Sequence, residues 1–361
     1  MIMKERRYMI NCNQPFLFRY DPEVLDIFEK NSISLVISTY QIGKVIILSA
    51  ENGKIVQLPR TFEGVMGISC DDETISIATK DEVIVCQNST ELAKTYPPSS
   101  NKYDAMYIPQ AKYYTGELAM HDISYTKDGL IGINTRFSCL VKIDDKFNFT
   151  PIWKPYFINK FEPIDACHLN GMAVENDEIL YATAFGKTST SEGWRKNKYD
   201  SGLLIDVKKN KILLSDLSMP HSPRVYKNFI YLTESAKGEL IKINRKTLKK
   251  EVLCSLPGFT RGIDIRGELL FLGMSKFRED HLYGDAPILK KYDSLKSGVA
   301  IFHLPTNTLI GVIEYINTVR EIYDVKTLSH IRPNILNTND SKFKLSLSTP
   351  EFTYWGEKNE F

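Results

Sequence analysis

Six short segments of this chain resemble one another, and their spacing constrains the fold more than any other feature. They are VMGIS at 65–69, MHDIS at 120–124, LNGMA at 169–173, HSPRV at 221–225, TRGID at 260–264 and IYDVK at 322–326. Each sets a small, turn-permitting or acidic residue (Gly67, Asp122, Gly171, Pro223, Gly262, Asp324) just ahead of an apolar alternation. The steps between those positions are 55, 49, 52, 39 and 62 residues. A weak repeat of that length, with several short strands per unit, predicts a β-propeller. Such a ring brings residues distant in sequence to one central axis.

Strand signals follow each repeat in a regular order. The second unit runs HDISYT, GLIGINTRF, CLVKIDDKF and FTPIW, with Lys-Asp-Gly and Asp-Asp-Lys in the turns. The third, fourth and fifth units read the same way. The sixth starts at Tyr323–Leu328 and then loses its strand signals, while SLVISTY, KVIILSA and KIVQLPR precede the first repeat. Ring closure accounts for both ends: the N-terminal strands complete the blade that the C-terminal strand begins, pairing otherwise open edges. The expectation is an all-β, six-bladed β-propeller with four antiparallel strands per blade, spanning residues 1–330. A short helix is expected at 20–31 and a tail at 331–361. A seven-bladed ring, with an extra blade hidden in 88–118, is the alternative.

Composition excludes some classes. The 46 basic and 44 acidic side chains leave a net charge of +2, a balance that gives no support to the clustered basic surface nucleic acid requires. No run approaches the ~18 apolar residues of a membrane span. Six Cys without CxxC or framework spacing, and no signal-peptide run, point to a cytoplasmic chain with reduced thiols.

Within a ring, starts of first strands and exits of second strands share one face. Three insertions, at 88–118, 186–200 and 275–297, are expected there, as loops gathered on one side of a rigid scaffold. Polar residues collect at the same edges. His121, His168 and His221 come from three consecutive blades, although His168 and His221 lie two and one positions ahead of strict register with His121. With Glu321 they form a candidate divalent-metal set. Alternatively, one of them acts as a general base with Asp122 or Glu321, giving His121, Asp122, His168, His221 and Glu321 as catalytic candidates. In the third reading these groups only satisfy one another around the channel. Arg136, Arg224, Arg261, Arg278 and Arg320 would ring the opening, either as forks for a small anionic or polyhydroxylated ligand or as salt-bridge partners. Tyr40, Asn134 and Asn170 complete the candidate binding set. The tyrosines Tyr103, Tyr107, Tyr113 and Tyr114 are expected to form a lid or a contact for a protein partner. Cys139 and Cys167 are expected near the same face.

The strings ISTYQIGKVI, YYTGELAMHDISY, NTRFSCL, CHLNGMA, SMPHSPR, LPGFTRGID and GMSKFRE resemble an uncharacterised bacterial family of similar length, over about Ser34 to Val325. More distantly, the blades resemble NHL-type and gluconolactonase-type six-bladed propellers. Lactonases of that group hold a divalent ion with Glu, Asn and Asp. The resemblance implies Glu321, Asn170, Asn134 and Asp324 as the nearest counterparts here. The expected function is therefore small-molecule binding, with a lactonase-like hydrolase, lyase or epimerase as the catalytic form. A non-catalytic binding or assembly module is the other class.

Overall fold

The computed structural model describes residues 9–10, 16–97, 99–276 and 283–356. Six antiparallel sheets close into a ring, and their innermost strands contact one another in a complete circuit. Blade I is Ile68–Cys70, Thr74–Ala78, Glu82–Asn88 and Ala105–Tyr114. Blade II is Met120–Thr126, Gly129–Asn134, Cys139–Lys142 and Thr150–Trp153. Blade III is Leu169–Glu175, Glu178–Ala184, Gly202–Asp206 and Lys211–Leu217. Blade IV is Pro220–Tyr226, Phe229–Glu234, Glu239–Asn244 and Lys250–Ser255. Blade V is Phe259–Arg266, Leu269–Ser275, Ser297–His303 and Thr308–Tyr315, extended outward by Phe18–Tyr20 and Met9–Ile10. Blade VI is closed as expected: Asp324–Leu328 is its inner strand and pairs with Ser34–Thr39, followed by Lys44–Glu51 and Lys54–Thr61.

The helix Pro22–Asn31 covers the junction of the two blades that share the chain ends. Pro near its first position and Glu23 in its first turn suit the start, and Ser32 in a left-handed conformation ends it. Val24 and Phe28 are fully buried in a cluster shared by blades V and VI. Burying such side chains contributes about 1.5–3 kcal/mol each, so the helix seals the closure. After residue 330 the chain forms Pro333–Ile335, a parallel fifth strand outside blade I.

The 88–118 stretch differs from its expected role. It holds a short helix, Thr90–Lys94, and then Ala105–Tyr114, the fourth strand of blade I. Pro109 disguises that strand, because proline reads as a breaker; here it sits where the register shifts opposite Val85 and Cys86. Residues 89–104 therefore join a third strand to a fourth and emerge on the face opposite the second-strand exits. Two insertions, not three, remain on the candidate face. Tyr103 and Tyr107 are buried in blade I clusters, and Tyr113 and Tyr114 lie on its outer strand, so none covers the ring opening.

Side chains of the inner strands tie successive blades together. Asp122 Oδ2 accepts from Met172 N (3.1 Å), Ser222 Oγ from Gly262 N (2.9 Å), and Asp324 Oδ2 from Ile68 N (3.2 Å). Blades II, IV and VI thus each tie down the inner strand of the following blade. The glycines between them permit the close approach: a Cβ on Gly67 would lie 2.8 Å from Asp122 Cα, and one on Gly171 2.6 Å from Pro223 Cδ.

Candidate functional site

The bulges that open the inner strands decide which side chains reach the central cavity. Met120 pairs with Asn134, Leu169 with Ala184 and Pro220 with Glu234, so the next residues, His121, Asn170 and His221, occupy one ring position. The residues before each pair, Ala119, His168 and Met219, are all left-handed, with φ near +51°. His121 and His221 are therefore equivalent, and His168 alone lies out of register. The expected offset at His221 arises because HSPR carries its bulge across Ser222–Pro223; Ser222, not Pro223, matches Asp122.

His121 and His221 are held in the same way. His121 Nδ1 lies 2.7 Å from Ala119 O and 2.8 Å from Thr135 Oγ1, whose proton goes to Leu169 O (2.6 Å) in the next blade. His221 Nδ1 lies 3.0 Å from Met219 O and 2.7 Å from Ser235 Oγ, which donates to Thr260 O (2.5 Å). Each hydroxyl has spent its proton on a carbonyl and can only accept from the ring. Both Nδ1 atoms must then carry hydrogen, leaving each neutral Nε2 as a lone pair. Burial, then the Arg261 charge, then His168, hold both imidazoles well below the ordinary histidine range. Blade VI places Tyr323 in the equivalent position, and Ser38 Oγ donates to Met66 O (2.6 Å) across that junction.

A cavity of about 270 Å³ opens on this face. His121, His168, His221, Glu321, Arg261 and Tyr40 line it. The guanidinium of Arg261 lies 3.3 Å from the centre of the Tyr323 ring, and its buried Nη2 meets no acceptor among the described residues. His168 packs between Phe185 and Trp194, with ring centres 4.5 and 4.4 Å away. Asp165 Oδ2 accepts from His168 Nδ1 (2.8 Å) and Trp194 Nε1 (3.1 Å), fixing the 186–200 insertion to the ring. Tyr283, from the second insertion, also lines the cavity, and Tyr199 Oη donates to Asp285 Oδ1 (2.6 Å), joining the two insertions.

The other predicted residues lie elsewhere. Asp122 and Arg224 form part of a charged plug beneath the cavity. Arg224 Nη1 reaches Asp122 Oδ2 (3.2 Å), Met172 O (2.9 Å) and Pro223 O (2.9 Å), and Nε reaches Ile263 O (2.9 Å). Arg224 is therefore committed to the ring, not to a ligand. Burial would discharge it, but Asp122, Asp324 and Asp264 outweigh that and favour its cationic form. Asp324 bonds Lys326 (3.1 Å), yet burial still pushes its carboxyl above the usual range. Asn134 caps the turn at Phe137 N, and Asn170 accepts from Thr183 Oγ1; both are buried outside the cavity lining. Arg136 is exposed in an annex beside Lys80 and lies 3.7 Å from Glu117. Arg278 lies outside the described residues.

The proposed metal ligands share a cavity without converging on one point. Among the described residues no group of three His, Cys, Asp or Glu is arranged to hold a metal ion. The set Glu321, Asn170, Asn134 and Asp324 is likewise split between cavity, wall and plug. Cys139 and Cys167 are buried, and burial raises each thiol to about 12, unsuited to a nucleophile. Sequence reasoning missed Thr135, Asp165, Phe185, Trp194 and Tyr323. Two of them carried a positional signal: Thr135 and Phe185 each follow the last residue of a second strand, as Ser235 does after Glu234.

Residues 22–336 match the family described as domain of unknown function DUF4915. The chain belongs to this family. No curated protein matches. Among solved structures, the chain is similar to one in a nidogen/laminin complex, at 11% identity and TM-score 0.53, covering 82% of this chain and 99% of that one. It is also similar to a protein of unknown function from Bacteroides caccae, at 10% identity and TM-score 0.50, covering 82% and 98%. At these identities the likeness concerns the fold. Among the described residues no helix is long and apolar enough to cross a membrane.

Proposed function

We propose that this member of the family binds a small anionic molecule in the central cavity, with Arg261 as the anion receptor. The observation that carries the reading is the buried Nη2 of Arg261, which faces the cavity and meets no acceptor among the described residues. A buried donor without a partner costs about 1–3 kcal/mol, and a carboxylate, phosphate or sulfate oxygen would relieve it. At about 270 Å³ the cavity lies near the small end of ligand sites, about 300–1,000 Å³. That suits a metabolite better than a polymer.

A protein-docking face is less favoured. Phe185 and Trp194 are 1% and 2% exposed, so the aromatic groups at the opening are packed inward. A catalytic form, as a hydrolase, lyase or epimerase, is the second reading; the bare Nε2 atoms of two neutral imidazoles supply proton acceptors at the cavity, weakened as bases by burial and by Arg261. Metal dependence has no support in the present donor arrangement. The buried thiols suit a reducing compartment such as the cytoplasm.

Thermal-shift screening of small carboxylates, phosphates and sulfates tests the reading. At least one class should stabilise the wild type and lose its effect in Arg261→Met. No shift from any of them, or an equal shift in the variant, would contradict it.

A further inference from the structure

We propose that the ligand is a hydroxy-carboxylate whose hydroxyl groups donate to Nε2 of His121 and His221. This rests on the anion reading and adds the second half of the recognition. The argument begins with the duplicated relay. Two blades apart, the same construction recurs: a backbone carbonyl two residues before the histidine, and a hydroxyl fourteen residues after it that is itself anchored on the next blade. Nothing in blade closure requires imidazole there, because blade VI bridges its junction with Ser38 and carries Tyr323 at the ring position.

The relay has one chemical consequence. With Nδ1 tied to the wall as a donor, each ring offers its other nitrogen as an acceptor. Both rings line the cavity, and neither Nε2 has a hydrogen-bond partner among the described residues. Arg261 supplies donors only. One wall therefore seeks an acceptor, and two fixed points seek donors. A simple alkyl carboxylate satisfies the first and strands the second; a neutral polyol does the reverse. An ammonium ligand would supply donors, but the two cations Arg261 and Lys276 outnumber the one carboxylate, Glu321, in the lining and disfavour it. A carboxylate bearing hydroxyls meets both demands, with its C–H faces against Phe185 and Tyr323.

The test uses the wild-type protein, Arg261→Met and three probes with matched six-membered rings. They are D-glucuronate, cyclohexanecarboxylate and D-glucose, titrated by calorimetry at constant pH. The expected result is glucuronate bound at least tenfold more tightly than either other probe. Equal binding of cyclohexanecarboxylate would overturn the donor proposal and leave the anion reading standing. Glucose binding equal to glucuronate, unchanged in Arg261→Met, would overturn the anion reading instead. No binding by any of the three would overturn both. Imidazole ¹⁵N spectra give a readout free of ligand choice. Both rings should show hydrogen on Nδ1 and a bare Nε2, and hydrogen on Nε2 of either would overturn the proposal.

Discussion

Replacing Arg224 with methionine separates a structural arginine from a ligand-binding one. The guanidinium makes four hydrogen bonds: one to Asp122 and three to carbonyls of Met172, Pro223 and Ile263. The side chains of Arg224 and Asp122 are only 16% and 7% exposed. Removing one partner of a buried pair typically costs about 3–5 kcal/mol, because the other charge is left uncompensated. The stranded carbonyls add to this unless water reaches them, so the expected loss for Arg224→Met is about 4–6 kcal/mol. Asp122→Asn keeps an acceptor for Met172 N and removes the stranded charge. In the Arg224→Met background it should therefore restore stability, with a coupling of about 2–3 kcal/mol across the double-mutant cycle. Urea unfolding, with the slope checked for constancy, measures all four proteins. A loss under about 1 kcal/mol for Arg224→Met, or strict additivity with Asp122→Asn, would refute the plug.

Acid should weaken the fold through the two relay histidines. Their folded values lie well below the ordinary 6.5, so the unfolded chain binds more protons below that pH. The stability these two groups contribute should be present above about 6.5 and be lost progressively as pH falls below it toward the depressed values. The His121→Gln/His221→Gln double variant should lose this part of the slope; an unchanged slope would contradict the assignment. Gly67→Ala should cost about 1–3 kcal/mol, since the new Cβ meets backbone atoms of blade II at 2.8–3.0 Å, which cannot rotate away. Gly53→Ala, facing open space at φ +69°, should cost only the ~1 kcal/mol of its left-handed backbone; equal losses would show that the inner strands do not pack as described.

Much of the ring was legible because each blade begins with the same local chemistry, and the missing strands at one terminus matched the surplus at the other. Ala105–Tyr114 was hidden by Pro109 and by an unbroken buried run, which lacks the alternation of a half-exposed strand. That error moved one insertion to the wrong face. The cavity histidines and Arg261 were legible from repeat position alone. The role of Arg224 was not, because its partners come from three other blades and two of them are backbone carbonyls with no sequence signature. Trp194 sits in an insertion without periodicity; its bond to Asp165 and its packing on His168 and Phe185 tie it to the site. The relay was obscured by a one-residue bulge, which shifted His221 against His121 in a linear alignment.

The central claim is that the cavity is a ligand site organised by Arg261, and a crystal soaked with D-glucuronate tests it most directly. The account predicts carboxylate density within about 3.2 Å of Arg261 Nη2, with ligand hydroxyls facing Nε2 of His121 and His221. An empty cavity at saturating ligand, or density placed instead beside Lys80 and Arg136 in the annex, would contradict it.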